Sequence, residues 1–108
     1  MKLIIAIVQD QDLAPLREDL TEHNLTMTKL ASSGGFLKTG NSTLLIGVVE
    51  DKVDQVLDII RKNCEARDTT TSMVNMENPQ DPLIPIPMEV HIGGATVFML
   101  DVEENYRF

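Results

Sequence analysis

Lys2 to Asp12, KLIIAIVQDQD, and Ser42 to Lys52, STLLIGVVEDK, lie forty positions apart and share one plan: an apolar run that ends in acidic residues. The match continues downstream. Leu13, Leu16 and Leu20 align with Val53, Val56 and Ile60, and spacings of three and four put one apolar stripe on each of two helices. Asp12 and Asp51 are read as helix caps that accept free N–H groups, with Pro15 tolerated in the first turn. His23-Asn24 and Asn63 to Ala66 are read as the exits. Each helix is followed by a Thr-rich run, Leu25 to Ala31 and Arg67 to Val74, whose β-branched residues favour extended structure. The repeating unit is strand, helix, strand. Two such units in series predict an α+β fold, β-α-β-β-α-β, the ferredoxin-like arrangement with both helices on one face of an antiparallel sheet.

Beyond the repeat the composition changes. Between Asn75 and Pro87 the prolines at 79, 82, 85 and 87 exclude helix and any central strand, which predicts a long Pro-rich loop over 75–87. Met88 to Ile92 and Ala95 to Leu100 then flank Gly93-Gly94, a two-residue connection suited to a hairpin turn, so an additional C-terminal hairpin is expected. In the last segment, Val102 to Phe108, the rings of Tyr106 and Phe108 are expected to dock on a neighbouring surface.

With 108 residues the chain suits a single domain, 1–108, small enough that association of subunits would stabilise it. Lys and Arg total 9 against 17 Asp and Glu, a net charge of -8, which disfavours long nucleic acids as partners. The single cysteine, Cys64, allows no intrachain disulfide, and the first apolar run, Leu3 to Val8, is too short for a membrane span. The cytoplasm is the expected compartment, with no membrane partner.

The chemistry concentrates between Thr28 and Gly47, where a Gly-rich loop at 35–41 with Phe36 and Leu37 at its tip joins two strand-like runs. Glycines allow backbone N–H groups to approach an anion, and an apolar pair can cover a flat ring, so the loop reads as a nucleotide-binding element. The competing reading is a plain hairpin turn with Phe36 capping the core, and the residues alone leave both open. Gly35 to Ser42 misses the Walker A pattern, since Asn41 stands where the lysine belongs and the loop opens no helix. The remaining groups hold ligands without reacting: the hydroxyls of Thr28, Thr39 and Ser42, the Asn41 amide, and the cations of Lys29 and Lys38. His23, His91 and Cys64 are too sparse for a closed zinc site. The acidic set Asp10, Asp12, Glu50 and Asp51 could pair carboxylates or hold Mg2+, although helix capping explains it more simply. No nucleophile and base stand at a recognisable spacing, so no enzyme is expected.

Lys2 to Asp12, Thr28 to Asn41 (TKLASSGGFLKTGN) and Gly93 to Phe98 (GGATVF) together resemble the cyclic di-AMP receptor branch of the PII-like signalling proteins. The resemblance runs along nearly the whole chain. It implies a ferredoxin-like homotrimer that binds cyclic di-AMP between subunits, performs no catalysis, needs no cofactor or metal, and relays the messenger to a downstream protein by loop movement. It places ligand contacts at Thr28, Gly35, Phe36, Leu37, Asn41 and Gly47. Phe36 and Leu37 would embrace an adenine, Thr28 would face phosphate, and Asn41 would bond the base or sugar. Three departures stand out. Thr26 replaces an arginine common among relatives, Arg107 replaces their usual glutamine and is expected to restore part of that charge, and Asn75 to Asp81 replace a Gly-Gly-Asn stretch. Alternatives are a PII-like trimer for ATP, ADP or AMP, and a non-catalytic trimer resembling metal-tolerance proteins, with the acidic ends and His91 as ligands.

Overall fold

The computed structural model describes residues 1–30, 40–73 and 86–108, excepting the side chains of 69–73 and 86–90. Its strands are β1 (Lys2–Gln9), β2 (Thr28–Leu30), β3 (Asn41–Val48), β4 (Arg67–Met73), β5 (Ile86–Ile92) and β6 (Ala95–Asp101). Helix α1 spans Asp10–Glu22, and α2, Val53–Cys64, follows a single 3-10 turn at Glu50–Lys52.

The two repeated apolar runs become neighbours. β1 and β3 pair antiparallel from Lys2↔Val48 to Gln9↔Asn41, at the centre of a four-stranded sheet ordered β2-β3-β1-β6. Alternation along each strand sorts the residues between two faces. Ile4, Ala6, Val8, Leu44, Ile46 and Val48 point towards the helices and are at most 3% exposed. Leu16, Leu20, Val56 and Ile60 meet them from α1 and α2, so the stripes predicted from spacing do form the core. Burial of each such side chain contributes about 1.5 to 3 kcal/mol.

The fourth sheet position is filled by a different strand from the one expected. β6 lies beside β1, from Lys2↔Asp101 to Val8↔Ala95, whereas β4 pairs with β5 in a separate two-stranded ribbon. The ferredoxin-like unit is therefore β1-α1-β2-β3-α2-β6, with the β4–β5 ribbon inserted between α2 and β6. Gly93-Gly94 closes no C-terminal hairpin, because β5 and β6 belong to different sheets. Pro87 falls in β5, at the beginning of a strand whose only described partner is β4, as its missing N–H requires.

The acidic caps are also corrected. α1 starts at Asp10, two residues before Asp12, and neither helix has a side-chain cap hydrogen bond. The Asp10 N–H donates instead to the Gly40 carbonyl at 2.8 Å, and Pro15 falls inside the helix rather than in its first turn. At the other end Asn24 adopts a left-handed φ of 58°, and the Leu25 N–H returns to the Leu20 carbonyl at 2.8 Å, which ends the helix where the sequence suggested.

Asp12 has another task. It is 2% exposed, and its Oδ1 accepts from Arg67 Nη2 at 2.7 Å, fastening the root of the ribbon to α1. Arg67 Nη1 also donates to the Glu65 carbonyl at 2.9 Å. Cys64 is fully buried nearby, and desolvation, then the Asp12 charge, push its thiol up to about 11 against the opposing pull of Arg67. An unfolded thiol ionises near 9.0, so the folded state binds the proton more tightly, and stability present below that pH is lost as pH rises towards 11. Comparing pH-dependent urea unfolding of the wild type and Cys64→Ala should show this loss only in the wild type. Its size is about 1 to 2 kcal/mol after the solvent screening that half-exposed Arg67 permits.

Candidate functional site

The second sheet face carries the odd-numbered residues of β1 and β3 and the even-numbered residues of β2 and β6. Register places Leu3 opposite Leu100, Ile5 opposite Phe98, Thr28 opposite Leu45 and Leu30 opposite Thr43, each pair on this same side. Within the protomer the face is open: Leu30, Phe98 and Leu100 are 41%, 53% and 50% exposed. A contiguous apolar surface of this kind marks an interaction site.

Three sequence-predicted ligand residues lie on it. Asn41 and Gly47 share the parity of Thr43 and Leu45 along β3, and Thr28 sits on β2 opposite Leu45. They line one row about 20 Å long at the rise of a strand. Gly47 is exposed, and a Cβ added there would meet only Met1 Cε at 3.7 Å, so the glycine leaves open surface rather than relieving a clash. Gly35, Phe36 and Leu37 lie outside the described residues, as do Lys38 and Thr39.

Two proposed holding groups point elsewhere. Ser42 is 2% exposed on the helix face and its hydroxyl donates to Asp10. Lys29 pairs with Leu44, opposite in facing to Thr28. Arg107 stands on the exposed C-terminal segment, beyond the end of β6. The neighbouring rings of Tyr106 and Phe108 stack on each other, 6.2 Å between centroids, and both are exposed.

At the Asn41 end of the row a crevice of about 420 Å3 is lined by Gln9, Asp10, Gln11, Gly40, Asn41 and Ile92. Its walls are amide, carboxylate and backbone, suited to hydrogen bonding. Gln9 is not among the candidates that the sequence offers, where its neighbours Asp10 and Asp12 read as part of a helix entrance or of a carboxylate pair. Its signal is positional: it is the last β1 residue and pairs with Asn41. A second groove of about 440 Å3, between α2 and β6, holds none of the candidate residues. Of the acidic ends, Asp10 is engaged with Ser42 and Asp12 with Arg67, and His91 bonds Asp68 at 2.8 Å. Among the described residues no group of three or more His, Cys, Asp or Glu is placed to hold a metal, and no helix is long and apolar enough to cross a membrane.

An open four-stranded sheet with two helices on its back and a polar row along its front defines the class, a PII-like protein of ferredoxin-like fold. A crystal structure described as that of a functionally unknown protein from Pediococcus pentosaceus ATCC 25745 is similar over 99% of this chain and 96% of that one, with 40% identity and a TM-score of 0.78. The chain belongs to the cyclic-di-AMP receptor family, whose model matches it over residues 1–108.

Proposed function

We propose that the protein is a homotrimeric sensor that binds cyclic di-AMP between protomers and signals by rearranging its loops. The observation that carries the reading is the placement of Thr28, Asn41 and Gly47 on one open face amid exposed Leu30, Phe98 and Leu100. That face has the apolar content of a subunit contact, and a ligand bound along its polar row would be enclosed by the neighbouring protomer. Family membership supplies the ligand. Phe36 and Leu37 grip an adenine, Thr28 and nearby backbone amides face phosphate, with Gly35 among the contacts, and Asn41 bonds the base or sugar. The protein works in the cytoplasm, without catalysis, cofactor or metal, and passes its state to a downstream protein. A ligand shifts loop states only through unequal affinity for them, so loop ordering and tight binding rise together.

Calorimetry with purified protein tests this. Cyclic di-AMP should bind far more tightly than AMP, ADP or ATP; binding no better than AMP at millimolar ligand removes the proposal. In the trimer Arg107 of a neighbouring protomer reaches the phosphate that Thr26 leaves without an arginine. Charge-assisted hydrogen bonds contribute about 1.5 to 3 kcal/mol, so Arg107→Ala should weaken cyclic di-AMP binding about tenfold to a hundredfold. Unchanged affinity would rule out this role.

A further inference from the structure

Gln9 touches both the Asn41 end of the candidate site and the root of the β4–β5 ribbon. Its backbone pairs with Asn41 in the β1–β3 ladder, next to the bond from Asp10 N–H to the Gly40 carbonyl. Its side-chain Oε1 accepts the Gly93 N–H at 2.8 Å and Gln11 Nε2, also at 2.8 Å. A backbone N–H can only donate, so the carboxamide must present its oxygen to Gly93, and its orientation follows from chemistry alone. The other described anchors of the ribbon root, Arg67 to Asp12 and to Glu65, and Gly94 N–H to the Cys64 carbonyl, run to the helices and not to the sheet row. Ile92, the residue before Gly93, lines the same crevice as Asn41.

We propose that Gln9 is a positioning residue that couples the ligand crevice to the β4–β5 ribbon, so that an occupant beside Asn41 is felt at Gly93. The inference rests on the cyclic di-AMP reading and adds the path by which binding leaves the site. A group held beside Asn41 fixes the β1 end, and the fixed carboxamide holds Gly93 in its hydrogen bond. Coupling of this kind is reciprocal, and a change in the ribbon root returns to the crevice as a change in affinity.

The test is amide hydrogen exchange on the full chain, free and saturated with cyclic di-AMP, with calorimetry on the same samples. In the wild type, the ligand should slow exchange of both the Asp10 and Gly93 amides about fivefold or more, the range of ordinary allosteric coupling. In Gln9→Met, which lacks the acceptor, saturating ligand should slow Asp10 and leave Gly93 unchanged. Gln9→Glu keeps an acceptor oxygen and should restore the Gly93 response, which a purely structural role for the side chain does not predict. Core amides such as those of Ile4 and Leu44 verify that each variant is folded. Equal slowing of Gly93 in Gln9→Met and wild type overturns the proposal, as does a wild-type Gly93 that ignores a ligand shown to bind. Absence of any binding heat removes the nucleotide reading, and this inference falls with it.

Discussion

Gly47→Leu should weaken cyclic di-AMP binding at least about a hundredfold, equivalent to ~2.7 kcal/mol, without unfolding the protein. The fold should accept the change because Gly47 lies on the exposed face of β3, has no left-handed φ, and an added Cβ meets only the flexible end of Met1 at 3.7 Å. A larger side chain removes a weak point in the strand, since glycine has nothing to pack and loses more entropy on ordering. The ligand cannot accept it so easily. Leucine would stand in the row shared by Thr28 and Asn41, where the proposed nucleotide would lie against the sheet. Calorimetry reads the affinity, circular dichroism the melting temperature and light scattering the assembly state. If the variant binds like the wild type in an unchanged assembly, the ligand does not use this face.

How far the sequence was legible depends on the length scale of the interaction. The apolar runs of Leu3 to Val8 and Leu44 to Val49, and the three-four spacing of Leu16, Leu20, Val56 and Ile60, each need only neighbours along the chain, and each contributes residues to the core. The fourth strand is harder, because two segments compete for one position. Arg67 to Ser72 is β-branched but polar on both sides, RDTTTS, whereas Ala95 to Leu100 is largely apolar on both, ATVFML. A strand beside β1 must cover Val8 and Ala6 on one face and lie next to Ile5 and Leu3 on the other, so the apolar segment takes the place. Propensity favoured β4, and the apolar character of both its faces favoured β6.

The site divides in the same way. Asn41 and Gly47 are six apart on one strand, and their shared parity could be read from the chain. The placement of Thr28 opposite Leu45 depends on register across the loop. Asp12 was assigned to a helix start from its local pattern, but its partner, Arg67, is 55 residues away. No local pattern announces an ion pair of that separation. Gln9 has the same difficulty, since its contact with Gly93 spans 84 residues.

Gly93→Ala should produce the largest loss of stability of any single methyl addition among the described glycines. Gly93 has φ of 80°, and an added Cβ would lie 2.5 Å from the Glu65 carbonyl oxygen and 2.6 Å from Arg67 Nη1. The carbonyl follows α2 and is backbone, so it cannot swing aside as a side-chain end can. Arg67 can move only by disturbing its contact with buried Asp12. Backbone strain at such a φ costs about 1 to 3 kcal/mol by itself, and the displacement of a packed neighbour adds about 1 to 3 kcal/mol. Gly94 provides the control: its φ is 107°, yet the added Cβ meets only Ala66 Cβ at 3.9 Å, so Gly94→Ala bears the strain without the collision. Denaturant unfolding should therefore rank Gly93→Ala well below Gly94→Ala, which in turn falls below wild type. Equal stability of the two variants would mean that the close approach of Gly93 to Glu65 does not hold in solution. The ribbon would then join the sheet by some contact other than this crossing.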